Sequence, residues 1–327
     1  MKNIFIFSSG ELKREANTLC FISNGQKKFI PVSSVSSIYI FGELSINKKL
    51  LEFLSMNHII VNFFNHYGYY MGSYYPREHY SSGLMILRQA EHYLDSPKRL
   101  ILAKKFLIGG VSNMVMTVKY YDTRVGGLTA HVNKLTDGLK MIESSPSIET
   151  LMSVEANLRE EYYSCFNEII DDEFFKFQGR IKRPPKGPLN AMISFGNSLL
   201  YVTILGEIYR THLDPRIGYL HATNFRKFSL NLDISEIFKP IIVDRVIFFL
   251  VNRKLISSGN FDEELGGTYL NERGRMAFVK QYEEKLKSTI TVDRRKYSYQ
   301  SAIRLELYKI EKLLIEGKEY EPFISKW

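Results

Sequence analysis

The sequence predicts an α+β protein with two domains, a small N-terminal β domain followed by a larger all-α domain. Short runs rich in β-branched and aromatic residues fill the first 76 residues, and apolar residues recur at helical spacing from about Leu84 onward. The length of 327 residues suits two domains of ordinary size. We place the β domain at residues 1–76 and the helical domain at residues 84–327, with a short linker between them.

The N-terminal domain contains short strand-like runs separated by Ser, Asn and Gly, namely IFIF, TLCFI, KFIPV, SSIYIF and HIIVNFF. One helix, NKKLLEFLSMN, interrupts them, and Asn47 is its expected N-cap. Gly68 separates HIIVNFFN from YYMGSYY, which predicts a β-hairpin.

The C-terminal domain is predicted from segments of helical length with recognisable ends. In SPKRLILAKKFLIGGVSNMVMTVKYY we expect Ser96 as N-cap and Pro97 in the first turn. The segments SPSIETLMSVEANLREEYYSCFNEII and PLNAMISFGNSLLYVTILGEIYR follow. The last two helices, NERGRMAFVKQYEEKLKS and SYQSAIRLELYKIEKLLIE, have Asn271 and Ser298 as caps, and Gly317 ends the second.

The charge and the missing motifs limit the function. A net charge of +9 and a pI of about 9.2 favour a polyanionic partner, either nucleic acid or an acidic membrane surface. The apolar stretch IIVDRVIFFLV contains Asp244 and Arg245, so we expect a buried helix and no membrane span. Two cysteines imply no disulfide framework, which suits the cytoplasm. No P-loop, dinucleotide fingerprint or nucleophile elbow is present.

The stretch LHATNFRKFSLNLDISEIFKP, residues 220–240, contains one His and two acids. In a helix, Asp233 and Glu236 lie one turn apart, where they repel by roughly 0.2–0.5 kcal/mol. A divalent cation near His221 would turn that repulsion into shared coordination, and Pro240 is expected to kink or restart the helix. The alternative is a solvated acidic face beside an ordinary His, and the residues alone favour that alternative.

A further candidate carboxylate, Glu155, lies in VEANLREEYY, residues 154–163. Glu155 and Arg159 are spaced i,i+4, which fits either a surface ion pair or a metal-binding carboxylate with an Arg beside it. The loop at residues 174–187 combines basic and aromatic residues, as does a nucleic-acid strand contact. A solvated loop is the equal alternative. The basic residues that we expect to contact phosphates are Arg180, Lys182, Arg183 and Lys186 in this loop, and Arg226 and Lys227 after His221.

Six sequence motifs, which occur in the same order in a known family, indicate a resemblance to that family. They are VEANLREEYY, KRPPKGPLNAMISFGNSLLY, LDPRIGYLH, SLNLDISEIFKPIIVDR, YLNERGRMAFVKQYE and SYQSAIRLELYKIEKLL. With the β-then-α architecture, the sequence resembles the CRISPR-associated Cas-one family, the integrase and endonuclease of CRISPR adaptation. The forms IRLELYKIEKLL and LHATNFRKF are most similar to the branch found with type I systems.

The resemblance implies a metal site for Mg²⁺ or Mn²⁺. Glu155, His221 and Glu236 match the family's ligands and Asp233 matches the acid paired with the last of them, so that all four are expected catalytic residues. Arg159 is expected beside them as a phosphate contact. Many members carry Asp where this chain has Glu236, and the longer arm shifts the reach of the carboxylate by about one methylene.

The resemblance also implies the reaction and the partners. We expect a metal-dependent DNA endonuclease that inserts short DNA fragments, or spacers, into a CRISPR repeat array by 3′-hydroxyl strand transfer. It implies double-stranded DNA as substrate, a homodimer joined through the β domain, and assembly with the small Cas-two protein in the cytoplasm. The alternative is a non-catalytic nucleic-acid-binding scaffold. The two differ in whether the side chains of Glu155, His221 and Glu236 converge.

Overall fold

The computed structural model describes residues 2–77, 80, 82–221, 228–292 and 295–326. Arg226 and Lys227, two of the expected phosphate contacts, lie outside the described residues. The chain divides into two compact units, residues 1–79 and 80–327. A strand-rich N-terminal region followed by a largely helical part confirms the predicted fold class.

The N-terminal unit consists of two four-stranded sheets. In the first, parallel strands β1, β5 and β7 are followed by antiparallel β8; in the second, the order is β4, β3, β2 and β6. The strands are β1 Lys2–Ile6, β2 Gly10–Glu15, β3 Thr18–Ser23, β4 Gln26–Pro31, β5 Val35–Ile40, β6 Leu44–Ser45, β7 Ile60–Phe64 and β8 Tyr70–Tyr74. The predicted hairpin around Gly68 is confirmed as β7 and β8.

Helix α1, Lys48–Met56, packs into this unit, and the predicted cap is confirmed because Asn47 Oδ1 accepts from Leu50 N at 3.0 Å. Leu50 and Leu54 of α1 share one apolar core with Leu12 and Ile38 of the two sheets. Strand β2 was not predicted. Its sequence GELKRE is polar except for Leu12, the one residue of the strand that is buried.

The C-terminal unit is helical, with two short hairpins in its described part. The helices are α2 Gly83–Leu94, α3 Ser96–Val125, α4 Thr129–Ser144, α5 Ile148–Ser164, α6 Phe166–Ile169, α7 Pro188–Ile208, α8 Ser229–Lys239, α9 Arg245–Asn252, α10 Glu272–Lys287 and α11 Tyr299–Glu316. The hairpin strands are β9 Phe261–Glu264, β10 Gly267–Leu270, β11 Thr289–Val292 and β12 Arg295–Ser298.

Two helix ends differ from the prediction. Asp95, not Ser96, caps α3, because its carboxylate accepts from Lys98 N at 3.0 Å. The predicted helix beginning at SPSIET divides at Cys165 into α5 and α6. The caps Asn271 and Ser298 and the left-handed Gly317 at the end of α11 are confirmed.

Helix α8 packs closely against α3, and α3 side chains donate hydrogen bonds to the backbone of α8 and of the turn that follows it. Gly110 of α3 lies so near α8 that a Cβ there would be 3.0 Å from the carbonyl oxygen of Glu236. Asn113 Nδ2 donates to Ile237 O at 2.9 Å, and Thr117 Oγ1 donates to Pro240 O at 3.3 Å. The predicted irregularity at Pro240 is a π-helical turn, Pro240–Asp244, which fits a residue that lacks the N–H for an α-helical bond.

Two helices, α3 and α7, are long and apolar enough to cross a bilayer by length and composition. Their most apolar windows are 67% and 83% buried within the helical unit. Both helices therefore belong to the core of the helical unit, and the shorter helices pack around them. The stretch IIVDRVIFFLV forms the π-helical turn and α9, and it is buried apart from Phe249 and the half-buried Arg245.

Candidate functional site

In the candidate site, hydrogen bonds join Asp233 to His221 and to the backbone before it. Asp233 is fully buried, and its carboxylate accepts from the backbone N–H groups of Tyr219, Leu220 and His221 at 2.5, 3.1 and 3.0 Å. Its Oδ1 also lies 2.8 Å from His221 Nδ1. With Nδ1 donating to the carboxylate, a neutral His221 presents Nε2 as an acceptor toward a further ligand.

The close approach of α8 to the preceding loop requires glycine at position 218. A Cβ there would lie 2.6 Å from the backbone of Ser229 and 2.8 Å from Asp233 Oδ2. Burial lowers the pKa of His221, but the hydrogen bond and charge of Asp233 outweigh it, so the pKa lies above its ordinary value. Asp233 therefore fixes both the loop and the orientation of the imidazole.

Arg159 joins the other two expected ligands. Its Nε donates to Glu155 Oε1 at 2.6 Å, and its Nη2 donates to Glu236 Oε2. Lys239 Nζ donates to the second Glu236 oxygen, Oε1, at 2.6 Å. Burial alone would raise the pKa of Glu236, but Arg159 and Lys239 outweigh it and hold the pKa well below its usual range. Glu236 is thus a buried carboxylate that stays ionised.

All three expected ligands lie on the wall of one cavity of about 890 Å³. The charged side chains that line it include Glu155, Arg159, Glu160, Arg180, Lys182, His221, Glu236 and Lys239. Asp233 lies behind His221 and is not among them. The alternative of a solvated acidic face is wrong, because Asp233 and Glu236 are 0% and 3% exposed.

The donor set fits a hard divalent cation in its chemistry. Two carboxylates and an imidazole Nε2 suit Mg²⁺ or Mn²⁺ better than a metal that prefers sulfur. Within the described part of the chain, however, no three His, Cys, Asp or Glu side chains are grouped closely enough to hold a metal ion. The guanidinium of Arg159 holds Glu155 and Glu236 instead, so a metal would compete with Arg159 and Lys239 for carboxylate oxygens.

The basic loop at 174–187 contributes in two different ways. Arg180 binds within the protein, where its guanidinium donates to Asn190 Oδ1 and Ser194 Oγ, both at 2.9 Å, and so fastens the loop to α7. Lys182 lines the cavity, and burial, then Arg180 and Lys239, lowers its pKa. Arg183 and Lys186 are exposed. Arg180 thus binds within the protein and also lines the cavity, and its contact with a phosphate stays a prediction.

Lys239 and Asn197 are two of the cavity residues that were not predicted as site residues. Lys239 follows Glu236 at i+3 on α8, and this spacing could have indicated the pair from sequence. Asn197 of α7 also lines the cavity, and its Oδ1 is buried without a hydrogen-bond partner in the described part of the structure. An unpaired buried acceptor at such a place is costly, which favours a ligand or water there.

The chain is similar to known proteins of one family over its whole length. The family model described as CRISPR associated protein Cas1 matches residues 4–284. A relative from Thermodesulfovibrio yellowstonii, named CRISPR-associated endonuclease Cas1 2, is 52% identical over the whole of this chain and 99% of its own length. The solved structure of a Cas1 protein from Thermotoga maritima is 47% identical, with a TM-score of 0.89 and full coverage of both chains.

The chain therefore belongs to the Cas1 family, as the resemblance implied. A more distant solved structure, that of a Cas6-RT-Cas1–Cas2 complex, has a TM-score of 0.86 at 15% identity. The match covers 100% of this chain and 36% of that one, and at this identity it shows the fold alone.

Proposed function

We propose that this protein is a metal-dependent DNA endonuclease and integrase of CRISPR adaptation, which inserts spacers into a repeat array by 3′-hydroxyl strand transfer. One observation carries the proposal: Glu155 of α5, His221 of the segment between α7 and α8, and Glu236 of α8 line a single cavity rich in cationic side chains. Membership in a family whose 52% identical relative is named an endonuclease supports the reaction class.

Glu155, Glu236 and His221 Nε2 are the groups that would hold Mg²⁺ or Mn²⁺. When bound, such a metal acts as a Lewis acid on a phosphoryl oxygen and neutralises charge during in-line displacement. Glu155 and Glu236 would supply carboxylate oxygens to the metal. Arg159 and Lys239 keep the carboxylate of Glu236 ionised. Asp233 holds the imidazole so that Nε2 is the available nitrogen.

The remaining cations of the cavity act on the nucleic acid. A phosphodiester that enters it meets Lys182, Lys239 and Arg159, which offset its charge and position it for attack. With water as the nucleophile the reaction is cleavage, and with a DNA 3′-hydroxyl it is strand transfer. Neither reaction needs a covalent enzyme intermediate.

The proposal includes the partners of the family. The net charge of +9 supports double-stranded DNA as the substrate. A homodimer joined through the N-terminal unit is proposed from the family, and an assembly with the Cas2 protein is proposed from the distant Cas6-RT-Cas1–Cas2 complex. The reaction on a genomic repeat array assigns the protein to the cytoplasm. Sedimentation of the full chain, alone and with Cas2, tests both assemblies.

The experiment that tests the reaction is transfer of a labelled DNA fragment into a supercoiled plasmid, with and without Mn²⁺. We expect product only with metal, and none from Glu155→Gln. Glu149→Gln is the matched control, because Glu149 lies on the same helix but is exposed and outside the cavity. Metal-independent DNA binding without cleavage or transfer by the parent protein would favour the scaffold alternative.

A further inference from the structure

A second cavity, of about 270 Å³, lies between α3, α9 and α10 and has no lining residue in common with the cavity described above. Its cationic lining residues are Arg124, Arg245, Arg253 and Lys285. Among the described residues that line it, none is an Asp or a Glu. A cavity with four cations and no acid on its wall has a strongly positive potential.

The cations are held together by aromatic rings. The guanidinium carbon of Arg245 lies 3.8 Å from the centroid of the Tyr120 ring and 5.5 Å from that of Tyr121. The guanidinium carbon of Arg124 lies 3.5 Å from the same Tyr120 ring. Cation–π attraction holds each group, but two like charges that share one ring also repel each other. An anion between them would remove that repulsion.

Lys285 adds a cation whose charge is already disfavoured by its surroundings. Burial, and then the charge of Arg245, lowers its pKa to about 7. Its Nζ lies 3.9 Å from the centroid of the Tyr299 ring. A bound anion would favour the charged form of Lys285, so that anion binding and protonation of this lysine would strengthen each other.

The rim of the cavity suits a nucleic acid strand better than a small isolated anion. Phe249 is 40% exposed beside the cations, and Arg253 is exposed at the end of α9. An exposed aromatic ring beside a group of cations is typical of sites that bind a phosphate backbone and stack a base. A volume of about 270 Å³ is also several times the roughly 30 Å³ that one water occupies, so a phosphate group fits.

We propose that this cavity is a phosphate-binding site separate from the catalytic cavity, and that its ligand is a phosphodiester group of a nucleic acid strand. The preference for phosphate rests on the four cations and the aromatic rings. The choice of a nucleic acid as its source rests on the proposed function. A free phosphate compound is the other source of the same chemistry.

The test is a salt titration of the binding of a short labelled DNA duplex to the full chain, without metal. Arg253→Gln and Lys285→Gln should each flatten the log–log salt dependence by about 0.9, the value for one lost phosphate contact. Lys280→Gln is the matched control, because Lys280 is exposed on α10 and does not line the cavity. An unchanged slope for both cavity variants, with the control also unchanged, overturns the proposal.

A second arm separates the two sources of phosphate. Inorganic pyrophosphate is titrated into the parent and the Lys285→Gln variant by calorimetry. Pyrophosphate binding that the variant loses, together with an unchanged DNA slope, would assign the cavity to a free phosphate compound and overturn the nucleic acid ligand. If the partly buried Lys285 variant does not fold, Arg124→Gln/Arg253→Gln at the exposed rim replaces it and should flatten the slope by about 1.8 for two contacts.

The proposal and the catalytic function fail in different ways. Glu155→Gln should abolish strand transfer but leave the contacts of the second cavity intact, whereas Arg253→Gln should weaken DNA binding, and most strongly at low salt. Strand transfer by the parent with no slope change in the cavity variants removes only the second site. A reduced slope in these variants with no strand transfer by the parent would retain the second site and remove the catalytic proposal.

Discussion

Asp233 Oδ1 lies 2.8 Å from His221 Nδ1 and also accepts from the backbone N–H of His221 at 3.0 Å. One carboxylate oxygen therefore fixes both the ring and the backbone of the same residue. Because Asp233 is fully buried and does not line the cavity, it acts on the reaction through His221. This relationship separates a positioning acid from the proposed metal ligands.

The first prediction follows from that separation. Asp233→Asn keeps the shape but replaces one carboxylate oxygen by an NH₂ donor, which cannot accept the hydrogen bonds that the oxygen now accepts. We expect about a 10–100-fold loss of Mn²⁺ affinity, the usual cost of losing a residue that orients a histidine ligand. Calorimetric titration with Mn²⁺ measures it.

The control is Asp137→Asn, because Asp137 is an exposed partner of Lys140 on α4. Glu236→Gln should lose more affinity than Asp233→Asn, since it removes a proposed ligand. Equal Mn²⁺ affinity for Asp233→Asn and the parent would contradict the positioning role.

The second prediction concerns the buried charges around Arg159. Arg159→Met leaves Glu155 and Glu236 close together without the guanidinium that binds both. We expect the free energy of unfolding to fall by about 3–5 kcal/mol, as when one partner of a buried ion pair is removed. Urea denaturation at neutral pH measures this loss.

A double variant tests the cause of that loss. Arg159→Met/Glu236→Gln removes the buried charge together with its partner, and it should recover much of the stability. If the double variant is as unstable as the sum of the two single variants, Arg159 stabilises the fold by packing and not by holding Glu236.

The third prediction is a pH dependence of stability that arises at Asp244. Burial raises the pKa of Asp244 from 3.8 to about 7 in the folded protein, where Tyr162 OH donates to its Oδ2 at 3.0 Å. The folded state thus binds the proton more tightly than the unfolded chain. The contribution is complete below about pH 3.8 and is lost as the pH rises to about 7.

Asp244→Asn removes this dependence while keeping an oxygen for Tyr162. We compare the free energy of unfolding of the variant with that of the parent at each pH. From pH 5 to pH 8 this difference should shift in favour of the variant, on the order of 2–4 kcal/mol. Asp262→Asn, at an exposed site on β9, should show no such gain. Equal differences between variant and parent at both pH values would show that Asp244 ionises normally.

The fourth prediction tests the packing behind His221. Gly218→Ala places a Cβ 2.6 Å from the backbone of Ser229 and 2.8 Å from Asp233 Oδ2, so α8 or the loop must move. We expect a loss of about 1–3 kcal/mol in the free energy of unfolding, together with reduced strand transfer. Gly259→Ala is the control, because a Cβ there meets no atom within 4 Å. Thermal unfolding that does not distinguish the two variants would show that the loop adapts freely.

Much of the fold could be predicted because the local patterns agree with the final structure. The hydrophobic runs marked the larger strands, and Asn47, Asn271 and Ser298 are the caps of their helices. Strand β2 could not be recognised, since GELKRE buries Leu12 alone and pairs through its backbone. At the start of α3 two adjacent residues could cap, and the carboxylate of Asp95 makes the bond.

The candidate site was less predictable because its key contacts join distant segments. Sequence spacing indicated the Arg159–Glu155 pair, but the bond from Arg159 to Glu236 spans 77 positions and depends on how α5 meets α8. The residues alone favoured a solvated acidic face, whereas the packing of α8 against α3 and α7 buries Asp233 and Glu236. Arg180 likewise bonds within the protein, which its basic surroundings did not indicate.

The most direct test of the central claim is strand transfer into a supercoiled plasmid in Mn²⁺ by Glu155→Ala, His221→Ala and Glu236→Ala, each first checked for a native melting curve. Because these three side chains line one cavity and are the proposed metal ligands, each variant should lose transfer and cleavage completely. Near-native activity in any two of the three folded variants would contradict the assignment of this cavity as the metal-dependent active site.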